Sequence, residues 1–190
     1  MESNSSFQEL PQFTWGDLTN LANRRKFDEY LEEKWLEVLH NRSCMSLIIC
    51  DIDRFREYND IYGSLAGDDC LRKISEAIEK SSEQLSCLAA RYGADKLAIV
   101  LPKKDAINAA ALTEQIARQV KSLEIEHSGS DVSNYVTMSF GIASMLASGI
   151  NKSEMLLIAA DRALYQAKRT GRNRKVIWNN SYLKTTMKQS

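Results

Sequence analysis

The sequence has no net charge and lacks the features that mark several functional classes. Its 190 residues carry 25 basic and 25 acidic side chains, so a nonspecific affinity for nucleic acid is not expected. Its apolar runs fall well short of the roughly 20 residues that span a bilayer. Residues 1–6 lack the basic and then apolar pattern of a signal peptide. These absences predict a cytoplasmic protein with neither a membrane nor a nucleic acid as a partner.

Cysteine and histidine are also scarce. The four cysteines show no C-x-x-C spacing, and three of them lie beside or within apolar stretches, so reduced buried thiols are expected rather than disulfides or a zinc site. The only two histidines, His40 and His127, are isolated, and neither is favoured as a metal ligand.

The hydrophobic pattern predicts one domain over residues 16–178, between a flexible segment at 1–15 and a tail at 179–190. The periodicity predicts helices at 23–39, 54–61, 66–80, 106–123 and 153–168, and strands at 46–52, in a hairpin over 87–101, and at 135–143 and 175–178. Asn23 and Ser153 are typical helix starts, and Gly63 is a typical stop. This order indicates a single-domain α/β sandwich with helices packed on a mixed sheet.

Acidic residues follow two of the predicted strands. Asp51 and Asp53 come at the end of the run 46–50, and Asp95 lies at the tip of the hairpin, directly before Lys96. Carboxylates at neighbouring strand ends are suited to a divalent metal and phosphate. The alternative for Asp53 is an N-cap of the following helix. The sequence favours the cap for Asp53 and the metal site for Asp51.

Two further groups have a functional and a structural interpretation. Asn59, Asp60, Gly67, Asp68 and Asp69 lie around a predicted helix junction. An amide and a carboxylate could bind the edge of guanine. Helix capping and first-turn acids explain the same pattern, and on spacing alone the structural interpretation is favoured. A basic group at 168–174 suits either a helix C-terminus or phosphate groups, and the pattern does not distinguish them.

Four stretches together resemble the GGDEF domains, the bacterial diguanylate cyclases. They are 18–25, 51–68, Arg91-Tyr92-Gly93-Ala94-Asp95-Lys96-Leu97, and Asp161 to Asn173 in the pattern D-x-A-L-Y-x-A-K-x-x-G-R-N. The resemblance covers about residues 17–177. It implies a palm-like core of five mostly antiparallel strands in a mixed sheet with helices on both faces. It also implies a dimer in which each subunit holds one GTP and two Mg²⁺ (or Mn²⁺), and which joins two GTP molecules into cyclic di-GMP.

The resemblance also implies roles for individual residues. Metal would be bound by Asp51, the backbone carbonyl of Ile52, and Asp95, and Asp95 would help activate the attacking hydroxyl. GTP would be bound through guanine by Asn59 and Asp68, along the hairpin backbone by Gly93 and Ala94, and through phosphate by Lys168 and Arg172.

The signature itself departs from the family pattern G-G-D/E-E-F. Leu97 replaces Phe in the core, which is a mild change. Ala94 replaces Gly, which would cost about 1 kcal/mol if the position needs a positive φ. Lys96 replaces a metal-binding acid, and each unit of charge about 5 Å away is worth roughly 3 kcal/mol at an effective dielectric near 20. The substitutions predict weakened Mg²⁺ binding. Residues 84–87 also lack the R-x-x-D motif, so no inhibitory product site is expected.

Three functions follow as hypotheses. The favoured one is a degenerate module of cyclic di-GMP signalling that makes little or no product but still binds GTP. The alternatives are an active cyclase and a structural dimerisation domain without a ligand. A homodimer and an upstream sensory or receiver domain are possible partners in each case.

Overall fold

The computed structural model describes residues 18–83 and 85–178, which contain five helices and five strands. In chain order they are α1 (Arg24–His40), β1 (Cys44–Ile52), α2 (Phe55–Tyr62), α3 (Ser64–Ser82), β2 (Leu88–Arg91), β3 (Lys96–Pro102), α4 (Ala106–Ser122), β4 (Met138–Leu146), α5 (Ser153–Arg169) and β5 (Lys175–Ile177). The predicted end segments, 1–15 and 179–190, lie outside the described residues. None of the described helices combines the length and apolar character needed to cross a membrane.

The five strands form one sheet in the order β2-β3-β1-β4-β5. Neighbouring strands are antiparallel except β4 and β5, which are parallel. The predicted five-stranded, mixed and mostly antiparallel sheet is therefore confirmed. The central strand β1 ends with Asp51 opposite Lys96 of β3 on one side and Ser139 of β4 on the other.

Both faces of β1 are buried because helices cover both faces of the sheet. Ile48 and Cys50 belong to the core under α3 and α4, whereas Leu47 and Ile49 belong to the core under α1 and α5. Side chains alternate along a strand, so Asp51 continues the series of Leu47 and Ile49. The carboxylate of Asp51 therefore points toward the α5 side of the sheet.

Helix α5 lies very close to the sheet at Gly141. A Cβ atom on Gly141 would come within 2.1 Å of the Ala160 carbonyl oxygen and 2.2 Å of the Leu164 nitrogen. Only a residue without a side chain allows the helix backbone to approach β4 this closely. This contact fixes the distance between α5 and the strand ends, and so determines which α5 side chains reach them.

Local signals predicted three helix boundaries correctly. The Asn23 side chain accepts a hydrogen bond of 2.9 Å from the Lys26 N–H at the start of α1. Gly63, with φ of +85°, ends α2. Helix α5 begins at Ser153 as predicted; its N-cap is Lys152, and the Ser153 hydroxyl donates to a carboxylate oxygen of Glu32 at 2.7 Å. That contact joins α5 to α1, which no local pattern could indicate.

Candidate functional site

Four charged side chains meet beneath α5, where β1 ends and β3 begins. Asp161 and Lys168 lie seven residues apart on α5, which is about two turns, so both face the same direction. The Lys168 Nζ lies 2.6 Å from Asp51 Oδ1. The Lys96 Nζ lies 3.0 Å from Asp161 Oδ1. We refer to Asp51, Lys96, Asp161 and Lys168 as the sheet-end half of the site.

The Asp51 carboxylate is almost fully buried, with 3% of the residue exposed. Burial raises the pKa of Asp51 from an ordinary 3.8 to about 6, and the Lys168 hydrogen bond opposes this rise. The charge of Asp95 also raises the pKa, while that of Lys96 lowers it. Asp51 and Asp95 are therefore electrostatic neighbours, and Asp51 also lies within reach of the ammonium groups of Lys168 and Lys96.

The hairpin tip is held by its own backbone and by Arg91. The N–H groups of Tyr92 and Gly93 both donate to the Lys96 carbonyl, at 2.9 and 3.0 Å. The buried Arg91 guanidinium donates to the Gly93 carbonyl at 3.3 Å and to the Ala94 carbonyl at 2.8 Å. Arg91 was seen in the sequence only as part of a motif, and the structure shows that it braces the turn.

The expected strain at Ala94 is absent. Neither Gly93 nor Ala94 has a positive φ, so the conditional cost of alanine at this position does not apply. A Cβ on Gly93 would meet nothing closer than the Lys96 Cβ, at 3.5 Å, which is an ordinary contact. Of the three substitutions in the signature, Lys96 therefore has the clearest physical consequence.

Asp53 is not the cap that the sequence favoured. The N-cap of α2 is Arg54, which makes no capping hydrogen bond through its side chain. The Asp53 carboxylate instead accepts hydrogen bonds from the Thr137 hydroxyl (2.8 Å), the Ser139 hydroxyl (2.6 Å) and the Asn173 N–H (2.9 Å). With 1% of the residue exposed, Asp53 is a buried structural acceptor.

A second group of predicted residues lies on α2 and α3. Asn59 packs against Gly67 so closely that a Cβ on Gly67 would lie 1.7 Å from the Asn59 Oδ1. That oxygen is buried and has no hydrogen-bond partner among the described residues. Asp68 is exposed. We refer to Asn59, Gly67 and Asp68 as the helical half of the site.

The first-turn explanation favoured for Asp68 is wrong. Helix α3 begins at Ser64, two residues earlier than predicted, and its first turn contains no acid. Asp68 therefore has no capping role at the start of α3. Its neighbour Asp69 forms surface ion pairs with Arg72 and Lys73. Since buried polar atoms are normally paired, the unpartnered Asn59 oxygen beside Asp68 is suited to a polar ligand.

The two halves meet around Arg91. Burial lowers the pKa of this guanidinium, and the charges of Asp68 and Asp95 both raise it. Arg91 therefore lies within electrostatic reach of the helical half on one side and of the hairpin tip on the other. The sequence singled out Asp51 and Lys168 in one half and Asn59 and Asp68 in the other, whereas Asp161 and Arg91 appeared only as parts of motifs.

The basic residues at 168–174 have different surroundings in the structure. Lys168 bonds to Asp51, as described above. Arg172 lies in a loop of unusual conformation, with φ of +57°, and is followed by Asn173 with φ of +47°. The pKa of Asp131 is lowered chiefly by its hydrogen bond with Arg54 and, more weakly, by the charge of Arg172. Arg172 therefore lies within electrostatic reach of the Arg54–Asp131 pair.

The residues at the sheet ends do not fit a pair of divalent ions well. Hard cations require several oxygen ligands. Within residues 18–83 and 85–178, no three His, Cys, Asp or Glu side chains are grouped closely enough to hold a metal ion. Asp51 is bonded to an ammonium group, and Lys96 occupies a signature position where the resemblance implies an acid. The predicted roles of Asp51, Ile52 and Asp95 as metal ligands stay predictions.

Comparison with known proteins supports the fold and the motifs together. The sequence profile described as "Diguanylate cyclase, GGDEF domain" matches residues 16–174. Diguanylate cyclase DosC of Escherichia coli K12 is 33% identical over 165 residues, which are 86% of this chain and 35% of DosC. Diguanylate cyclase VdcA of Vibrio cholerae is 34% identical over 159 residues, which are 83% of this chain and 44% of VdcA. The chain thus spans less than half the length of these relatives.

Solved structures give the same result. The GGDEF domain of DgcB from Caulobacter crescentus, in complex with c-di-GMP, superposes with a TM-score of 0.78 and 31% identity over 90% of this chain and 98% of that domain. The active GGEEF domain of a diguanylate cyclase from Vibrio cholerae superposes with a TM-score of 0.73 and 28% sequence identity, over 84% of this chain and 99% of that domain.

Proposed function

Because this chain belongs to the GGDEF family of diguanylate cyclases, we propose that it is a GTP-binding module of cyclic di-GMP signalling with little or no cyclase activity. The observation that carries this proposal is the difference between the two halves of its site. The helical half keeps the amide and the acid suited to guanine, with an unpartnered Asn59 oxygen. The sheet-end half has Lys96 and Lys168 among the acids that would have to hold metal.

Guanine recognition is the better supported part of the proposal. Guanine presents N1–H and N2–H₂ donors and an O6 acceptor, which match a carboxylate and an amide. Asp68 is the carboxylate and Asn59 is the amide. The close packing of Asn59 on Gly67 holds the amide in one place. A preformed site of this kind loses little side-chain entropy when a base binds.

Phosphate binding would rely on protein cations. Lys96, Lys168 and Arg172 all lie near the strand ends or in the loop after α5. The triphosphate would compete with Asp51 for Lys168 and with Asp161 for Lys96. Ammonium groups can hold phosphate as point charges, so we expect GTP binding that does not require Mg²⁺.

An active cyclase is the second candidate, and one observation favours it. The Lys96 ammonium is bonded to Asp161 rather than to Asp51, at 3.0 Å. Asp51 and Asp95 remain electrostatic neighbours. A metal ion that displaced Lys168 from Asp51 could then be bound by the carboxylates of Asp51 and Asp95.

The decisive experiment compares the unmodified chain with the Ala94→Gly/Lys96→Glu double variant. Each is incubated with GTP and Mg²⁺ or Mn²⁺, and the products are separated by chromatography. We expect little or no cyclic di-GMP from the unmodified chain and at least tenfold more from the double variant, because the variant restores an acid beside the Asp51 carboxylate. Lys80→Glu is the matched control, since it makes the same charge change about 18 Å along α3 from Asp68.

The outcomes separate the candidates. Clear formation of cyclic di-GMP by the unmodified chain, in an amount equal to that from the double variant, would establish a working cyclase. GTP should raise the melting temperature of the unmodified chain in EDTA as well as in Mg²⁺; loss of the shift in EDTA would contradict metal-independent binding. No shift under either condition would leave only a structural dimerisation role.

Further domains and partners are part of the proposal. Relatives such as DosC are roughly two to three times as long as the matched segment, and the solved cyclase SiaD is in complex with its activator SiaC. We propose that this domain likewise acts with a sensory or receiver domain, with a partner protein, or as a homodimer. Sedimentation with and without GTP would test the dimer.

A further inference from the structure

We propose that Asp53 is a positioning residue that holds the loop of Arg172 in shape for phosphate binding. This inference rests on the proposed GTP site and assigns no metal or proton transfer to Asp53. It begins from the buried carboxylate, whose two oxygens accept three hydrogen bonds from residues at least 84 positions away in sequence.

The loop itself has an unfavourable backbone conformation. Gly171 has a φ of +122°, Arg172 of +57° and Asn173 of +47°, so three successive residues lie at positive φ. For Arg172 and Asn173 such a conformation is disfavoured, because the Cβ crowds the following carbonyl oxygen. A loop of this kind persists only when surrounding contacts hold it.

The contacts that hold the loop come from three directions. The Arg172 N–H donates to the Ala167 carbonyl at the end of α5, at 3.0 Å. The Phe140 N–H of β4 donates to the Arg174 carbonyl at 2.9 Å. The Asn173 N–H, between them, donates to Asp53 at 2.9 Å. Asp53 is the only charged group among these three acceptors, and charged acceptors make the stronger hydrogen bonds.

Asp53 also links the loop to the strand that carries Asp51. Its N–H donates to the Thr137 carbonyl at 2.9 Å, and its carboxylate accepts from Thr137 and Ser139 at the start of β4. One residue therefore joins the end of β1, the beginning of β4 and the Arg172 loop. The spacing between Asp51 and the Arg172 backbone depends on this junction.

The burial of Asp53 excludes the other role that its position suggests. Only 1% of the residue is exposed, and its oxygens are directed at two hydroxyls and one amide. A nucleotide or metal would have to displace these donors to reach it. Asp53 therefore acts on a ligand only through the loop.

The test uses Asp53→Asn in the whole chain. Asp53→Ala would leave three donors unpaired in a buried space and is prone to misfolding. The Asn side chain is isosteric: its oxygen can still face Thr137 and Asn173, and the Ser139 hydroxyl can accept from its NH₂ group. The substitution therefore removes the charge while keeping the shape. Thr137→Val is the matched control, since it removes one hydroxyl and leaves the Asn173 contact.

Three measurements are made on each variant: amide hydrogen exchange at Asn173 without ligand, affinity for GTP, and affinity for guanosine. For Asp53→Asn we expect exchange to be about tenfold faster and GTP binding about tenfold weaker, the scale of losing charge assistance in one hydrogen bond. Guanosine binding should stay unchanged because it has no phosphate. In an Arg172→Ala background, Asp53→Asn should weaken GTP binding no further.

Several results would overturn the inference. Unchanged exchange at Asn173 would mean that Asp53 does not hold the loop. Equal losses for GTP and guanosine, or additive losses with Arg172→Ala, would indicate a general structural role. If the unmodified chain binds guanosine but GTP no better, the phosphate role of the loop is refuted while guanine recognition stands. If it binds neither, the proposed function fails, and with it any positioning role.

Discussion

The helical half and the sheet-end half of the site differ in how their polar groups are satisfied. In the helical half, the Asn59 Oδ1 is buried without a hydrogen-bond partner in the part of the chain that the structure describes, and Asp68 is exposed. In the sheet-end half, Asp51 is paired with Lys168, and Lys96 with Asp161. A site that leaves polar groups open is ready for a ligand, whereas one that pairs them internally must break those pairs first. This difference is the reason that we propose nucleotide binding without efficient catalysis.

The largest expected effect is from removing the cation in the sheet-end half. Lys168→Met should lower the free energy of unfolding by about 3 kcal/mol at pH 8, because it leaves the buried Asp51 carboxylate without its partner. The loss should shrink at pH 5, where Asp51 can take up a proton. Chemical denaturation at both pH values measures this, and an equal loss at both would show that the pair is not the cause.

The pH dependence of the unmodified chain gives the next largest effect. The folded-state pKa of Asp51, about 6, is above its ordinary 3.8, so the folded state binds more protons between these values. This contribution to stability is fully present below pH 4 and is lost as the pH rises through 6, about 3 kcal/mol in all. Asp51→Asn should remove this slope, measured in EDTA; an unchanged slope would assign it to another group.

A smaller effect is expected in the helical half. Gly67→Ala should weaken GTP and guanosine binding about a hundredfold. The new methyl group would displace the Asn59 amide, so the site would lose the proposed hydrogen bond between Asn59 and guanine. The fold should survive, since Ala favours a helix by about 1 kcal/mol over Gly. Gly149→Ala is the matched control: a Cβ there meets no atom of the described residues within 4 Å, so binding should change less than twofold. Similar losses in both variants would contradict the assignment.

The smallest effect should come from the outer ion pair. The Lys96 and Asp161 side chains are 37% and 53% exposed, so their pairing should contribute less than about 1 kcal/mol. A double-mutant cycle with Lys96→Met and Asp161→Asn measures this coupling. A value above about 2 kcal/mol would mean that Lys96 is fixed in place and cannot be released to a phosphate.

The sequence predicted those parts of the structure that depend on neighbours along the chain. The hairpin, the order of elements, the Asn23 cap and the Gly63 stop are all set within a few residues. The motifs also identified Asp51 and Lys168 as members of one site. Such features are readable because turns and caps have strong local residue preferences.

The sequence failed where partners are distant. Asp53 was interpreted as a cap because Arg54 begins a helix next to it, but its donors at Thr137, Ser139 and Asn173 come from β4 and from the loop after α5. The Lys96–Asp161 pair likewise joins residues 65 positions apart. These contacts depend on the register of the sheet and on the depth of α5 over Gly141, which no single-sequence pattern encodes.

The central position of β1 has a consequence for how the chain acquires its site. β1 pairs with β3 on one side and with β4 on the other, where the partner of Cys44 is Leu146. The strand that carries Asp51 therefore cannot complete its hydrogen bonding until about a hundred further residues have joined it, and such long-range pairing is slow. The ligand-binding surface should thus be among the last parts of the domain to form, both during synthesis and during refolding.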